Sequence, residues 1–222
     1  MKSYTFGLIL SIAILFLGVF SGYAFHKLTN VNILRTVKVV SESPVYKMTE
    51  ARVEVVEAVV EKVIAPEKVE KPIPVELKIL PTALGIFTTN IMTCLAAGLT
   101  PLIPLLYLRH VTPIYLRLLK KRVEGDPWRL YKYATPIGPV TILWFNGLIL
   151  YMVLELAKGV PFFTIPEAMA LTMLGGLGIT ACLNWDTPES LEKPYEKYFW
   201  SIAFYSTMLL IVAAFQEAWM IS

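Results

Sequence analysis

Charge is missing from this chain in long, repeated stretches, and that most constrains its fold. Residues 3–25, 81–108, 134–154, 168–185 and 198–216 contain no Asp, Glu, Lys or Arg, and together they make up about half of the 222 residues. Each stretch is 18 to 28 residues long, and roughly 20 apolar residues in a helix cross a hydrocarbon core about 30 Å thick. Backbone N–H and C=O groups find no water there, so the segments must satisfy their hydrogen bonds internally as helices rather than as open strands. With 56% hydrophobic and 17% charged residues and a mean hydropathy of +0.60, the chain reads as all-α. The expected architecture is a polytopic integral membrane bundle of about five transmembrane helices. Cys94 and Cys182 both fall inside spans, so they form no disulfide framework. The single glutamine, Gln216, beside abundant Lys, Glu, Val and Ile resembles thermophile, prokaryotic usage.

Basic residues orient the bundle. Segment 109–133 carries Arg109, Arg117, Lys120, Lys121, Arg122, Arg129 and Lys132 against Glu124 and Asp126. Cytoplasmic loops are enriched in Lys and Arg. This places 109–133, the N-terminus and 185–197 in the cytoplasm, and 26–80, 158–164 and Ser222 outside the cell membrane. The first segment has two readings. Lys2, an apolar run and Gly22-Tyr23-Ala24 fit a cleavable signal peptide, whereas an uncharged run longer than a typical signal core fits an anchor. The anchor is preferred. The chain thus divides into an anchor at 1–25, an extracytoplasmic segment at 26–80 and a four-span bundle at 81–222.

Within 26–80, Glu54, Glu57 and Glu61 share one face of a helix expected over 49–64, with Val53, Val56, Val60 and Val63 on another. Four prolines between Pro66 and Pro81 predict an extended spacer. The segment is either a plain tether or an arm that docks a partner. On the cytoplasmic side, Ile114, Leu116, Leu118, Leu119 and Val123 oppose Arg117, Lys120 and Lys121 on an amphipathic helix over 113–123. Such a helix is drawn to anionic lipid, with Arg117, Lys120, Lys121 and Arg122 making the contact. Asp126-Pro127 predicts a second short helix with Asp as N-cap. Its Trp128, Tyr131 and Tyr133 are expected at the membrane interface.

In the spans, Pro101 and Pro104 interrupt the second segment, and Pro136 and Pro139 begin the third. Ala168, Thr172, Gly176 and Thr180 recur every four residues, a small-residue stripe for close helix packing, either within the chain or to a second subunit. Intramembrane polar residues are the candidate functional positions. Asn90 and Asn146 lie mid-span, where an amide commonly bonds across to another helix. Glu155, Glu167 and Glu217 fall at one outer level and could bind a cation or move protons. The structural alternatives are a Thr164-x-x-Glu167 capping box, a Glu155–Lys158 pair, and a water-exposed Glu217.

No enzyme chemistry is legible. His26 and His110 lack companions at metal-ligand spacing, so no metal or cofactor is expected. No Gly-x-Ser-x-Gly elbow or phosphate-cradling glycine loop occurs. The two aspartates, Asp126 and Asp186, lie in loops. Nothing supports a nucleic-acid-binding fold around the basic segment.

Phe87-Thr88-Thr89-Asn90 with Ala96-Ala97-Gly98, then Phe145-Asn146-Gly147, then Pro166-Glu167-Ala168 leading into Gly175-Gly176-Leu177-Gly178, together resemble the stage II sporulation protein M family over about residues 80–220. Phe163-Thr164 stands where that family often has His-Gly, and the glycine usual soon after Asn-Gly is absent around Tyr151. The resemblance implies a polytopic membrane scaffold, with Asn90, Asn146 and Glu167 as packing or assembly determinants. The resulting expectation is a non-enzymatic scaffold or accessory subunit working with membrane lipids and other membrane subunits or copies of itself. Its docking surfaces would be 26–80 and the stripe on segment four. The alternative is a small permease or ion-coupled transporter using the outer-leaflet glutamates. A lipid-binding membrane shaper built on 113–123 is a third reading.

Overall fold

A computed structural model describes residues 2–29, 75–119 and 126–221. Its elements are α1 (Tyr4–Thr29), α2 (Val75–Leu99), α3 (Leu102–Leu106), a π-helical turn (Tyr107–Val111) and α4 (Thr112–Leu119). After these come α5 (Trp128–Tyr131), a 3-10 turn (Lys132–Ala134), α6 (Ile137–Ala157), α7 (Thr164–Leu183) and α8 (Pro188–Ile221). No strand occurs among the described residues. Five helices, α1, α2, α6, α7 and α8, are long and apolar enough to cross a membrane. The chain is an all-α polytopic membrane bundle.

The expected helix over 49–64 lies outside the described residues, as does the expected spacer up to residue 74. The rest of that spacer is corrected: Val75 already begins α2, which runs on through position 81. Glu-Leu-Lys-Ile-Leu are good helix formers, and they outweigh the nearby prolines. The uncharged stretch 81–108 is likewise not one span. Its membrane-crossing part is Thr82–Leu99. The chain then turns at Thr100-Pro101, because prolines 101 and 104 cannot donate the backbone bonds that would continue α2. Pro136 precedes α6 and Pro139 is buried in its first turn, so neither kinks a span. The π-helical turn stands one turn before Pro113. A proline ring displaces the carbonyl four residues earlier, and a widened turn accommodates that displacement. Thr112 Oγ1 donates to the Tyr107 carbonyl across this turn at 3.1 Å.

Helix α7 is the axis around which the others assemble, because its glycines let three helices approach closely. A Cβ at Gly176 would lie 3.0 Å from Leu8 Cα of α1, one at Gly178 2.5 Å from the Ala97 carbonyl oxygen of α2, and one at Gly175 2.7 Å from Leu143 of α6. A Cβ at Gly147 of α6 would meet the Leu15 carbonyl oxygen at 2.1 Å. Helix α1 fills the seam between α6 and α7. Ser11 is fully buried and donates to the Thr172 carbonyl at 2.7 Å. The segment expected as a membrane anchor packs as one wall of the bundle.

Contacts distant in sequence tie each end together. At one end the Lys2 backbone N–H donates to Asn184 Oδ1 at 2.9 Å, Tyr195 donates to the Gly98 carbonyl at 2.6 Å, and Trp128 Nε1 donates to the Trp185 carbonyl at 2.8 Å. At the other end His26 Nδ1 lies 2.6 Å from the Tyr151 hydroxyl. Exposed Phe16, Phe20, Trp200 and Trp219 cover the outside of the bundle. At about 1.5 Å per residue the two tryptophans are roughly 28 Å apart along α8. That separation matches aromatic belts at two membrane interfaces.

Candidate functional site: a polar cavity shared by five helices

Toward the end of the bundle that holds the 158–163 turn, the helices do not close on one another. A cavity of about 240 Å³ remains, to which all five spans contribute. Its polar lining comes from Asn90 and Thr93 on α2, Asn146 on α6, Thr164 and Glu167 on α7, and Glu217 on α8. Two of the three outer glutamates expected from sequence thus meet around the two mid-span asparagines. Glu155 does not join them. It pairs with Lys158 at 3.0 Å on the outside of the bundle. Lys158 adopts a left-handed conformation (φ 52°) that ends α6.

Asn90 reaches across from α2, and its Nδ2 donates to Glu167 Oε1. This contact replaces the expected capping box. Residue 163 stands at the N-cap of α7 without a side-chain cap bond, and Thr164 Oγ1 donates backward to the Pro161 carbonyl at 2.6 Å. The Glu167 carboxylate is therefore free to turn into the cavity. Asn146 departs from expectation too: its Nδ2 donates to the Ile142 carbonyl of its own helix at 2.8 Å. Glu217 is not displayed to water at the chain's end; it is half-buried and lines the same cavity.

The small-residue stripe is divided. Ala168 lines the cavity, whereas Thr172, Gly176 and Thr180 face α1: Leu8 lies against Gly176, and Gly7 against Thr180. This part of segment four is covered by the chain's own first helix and offers no docking face to another subunit.

The basic end has a different character. Arg109 makes a two-pronged ion pair with Glu192 at 2.6 and 2.8 Å, and that carboxylate holds the guanidinium more firmly in its charged form. On α4, Ile114, Leu118 and Arg117 are all exposed, as a lipid-contacting helix requires. Lys120, Lys121 and Arg122 lie outside the described residues. Trp128 corrects its expected place at the interface, being 1% exposed beneath the bundle. Asp126 Oδ1 accepts from the Trp128 N–H at 3.0 Å, but α5 begins at Trp128 with Pro127 rather than Asp126 at its N-cap. Tyr133 remains exposed, edge-on to Trp185.

Thr93 and Cys94 line the cavity but do not stand out in the sequence as polar residues of a span. A signal is nonetheless present: counted from Asn90 they are three and four residues on, the spacing that shares one helix face. Among the described residues, no three His, Cys, Asp or Glu side chains group as metal ligands. Compared with family models, curated proteins and solved structures, the chain matches none.

Proposed function

We propose that this chain is a non-enzymatic scaffold or accessory subunit of a larger membrane complex, similar to proteins of the stage II sporulation protein M family. In this reading it sits multi-pass in the cell membrane with its basic end in the cytoplasm. The observation that carries it is the Asn90–Glu167 contact. Two of the polar positions that bear the resemblance bond each other inside the chain, and the third, Asn146, lines the same cavity. The glycines of the same motifs, Gly147, Gly175, Gly176 and Gly178, are close-approach points between helices. Residues in such roles build a shape rather than run a reaction. The cavity's polar groups are amides, hydroxyls, carboxylates and the Cys94 thiol, and no histidine is among its lining residues.

The orientation is supported by the clustering of Lys2, Arg109, Arg129, Lys132, Lys193 and Lys197 at one end. With the α7 stripe covered, partner contact falls to the basic end and to the 26–80 segment. The test is purification from native membranes in gentle detergent, with mass spectrometry of whatever accompanies the chain. A stoichiometric membrane partner or a defined self-assembly is expected; a solitary monomer would overturn the proposal.

The ion-coupled transporter is the second reading, favoured by Glu167 and Glu217 facing one cavity. It loses Glu155, which is paired elsewhere. Flux into liposomes that disappears in Glu217→Gln would favour it over the scaffold.

A further inference from the structure

The cavity is unbalanced in hydrogen-bonding capacity. Its two hydroxyl donors and one N–H of each asparagine amide already have acceptors. Asn90 Nδ2 donates to Glu167, Asn146 Nδ2 to the Ile142 carbonyl, Thr93 Oγ1 to the Thr89 carbonyl at 3.2 Å, and Thr164 Oγ1 to the Pro161 carbonyl. Its acceptors are in surplus. Glu167 Oε2, both Glu217 carboxylate oxygens and Asn146 Oδ1 have no hydrogen-bond partner among the described residues. Glu167 and Glu217 line the same cavity. Two carboxyl groups facing one cavity in a membrane are costly unless something supplies protons or positive charge.

The remaining wall narrows what that is. Leu15, Leu150, Val153, Leu171 and Leu210 surround the polar end with hydrocarbon. The space is larger than a bare metal ion needs, yet below the range of about 300–1,000 Å³ usual for drug-sized ligands. A complementary guest has a compact positive head with several N–H donors and a short apolar body.

We propose that this cavity binds a primary ammonium group, its N–H donors on Glu217, Glu167 and Asn146 Oδ1 and its carbon chain against the leucine-lined wall. Asn90 is a positioning residue that holds Glu167 in place. The inference is independent of the scaffold reading. An ammonium site fits an accessory subunit that senses or retains a ligand as well as a carrier. The same chemistry is available from a free small amine and from a phosphatidylethanolamine headgroup, since exposed Ile149 and half-buried Phe163 are among the lining residues.

The experiment is calorimetric titration of the purified full chain in a non-ionic detergent with n-butylammonium, using tetramethylammonium and sodium as controls. In parallel, native mass spectrometry reads lipid retention from nanodiscs containing equal phosphatidylethanolamine and phosphatidylglycerol. Saturable butylammonium binding, weakened at least tenfold in Glu217→Gln and in Glu167→Gln, supports the site with a free amine as its ligand. No butylammonium binding but selective phosphatidylethanolamine retention, lost in the same variants, supports it with a lipid source. Should a glutamine variant not keep the wild-type melting temperature and elution volume, Val153→Phe serves instead, filling the apolar wall while leaving both carboxyl groups. Three results overturn the proposal: neither ligand binds, tetramethylammonium or sodium binds as well as butylammonium, or binding survives in folded variants.

Discussion

The two halves of α7 treat the membrane interior in opposite ways. From Thr172 to Thr180 the helix is packed so closely that glycines meet neighbouring backbone on two sides, and the hydroxyls are spent on carbonyls. From Thr164 to Leu171 the same helix borders a cavity with carboxyl oxygens to spare. Small residues make the first half possible: without a hydrophobic force between helices in lipid, close backbone approach supplies the packing energy. The second half forgoes that packing. Glu167 is held there by Asn90 rather than paired with a positive charge.

Substitutions at the packed end have the largest expected effects. Trp128→Ala removes a fully buried indole and leaves the Trp185 carbonyl unpaired. A loss of about 3–5 kcal/mol is expected, read as the unfolding midpoint in a denaturing-detergent titration. Gly147→Ala forces a methyl group against the Leu15 carbonyl of α1. It should cost about 1–3 kcal/mol and weaken a disulfide cross-link engineered between α1 and α6. If Gly147→Ala were as stable as wild type, α1 would not occupy its seam and the contrast between the halves would fail.

At the cavity the expected cost is small. Asn146→Leu removes only a bond to its own helix, so stability should change by no more than about 0.5 kcal/mol, while butylammonium affinity falls. That split between folding and binding separates a site from a seam. The smallest effect belongs to Arg109→Ala at the exposed basic end. Its slight destabilisation should vanish in about 1 M salt, where exposed charges are screened, and a salt-independent loss would place the Arg109–Glu192 pair deeper than its exposure allows.

The spans were legible in sequence because a run of 18 or more residues without charge, repeated five times, is too apolar for water and too long for anything but membrane-crossing helices. The depth of the second span was not. Thr100-Pro101 reads equally as a kink or an end, and only packing decided for an end. The stripe on α7 announced close contact but not its partner, since periodicity carries no information about which helix fills it. Asn90, Glu167 and Glu217 were individually visible as polar residues in apolar surroundings. Their convergence was hidden, for it depends on the angular phase of α2, α7 and α8. The capping-box spacing at Thr164 even pointed away from it. Trp128 illustrates the reverse error: aromatic and basic residues together suggested an interface, but a tertiary hydrogen bond to Trp185 drew the ring inward.

The scaffold reading rests on Asn90 and Glu167 acting on each other inside the chain. A double-mutant cycle with Asn90→Leu, Glu167→Leu and the double variant, read as unfolding free energy in detergent, tests this directly. The expected coupling is about 1 kcal/mol, within the range of interhelical bonds in membranes. Additive single effects would show that the two side chains do not meet, and would contradict it.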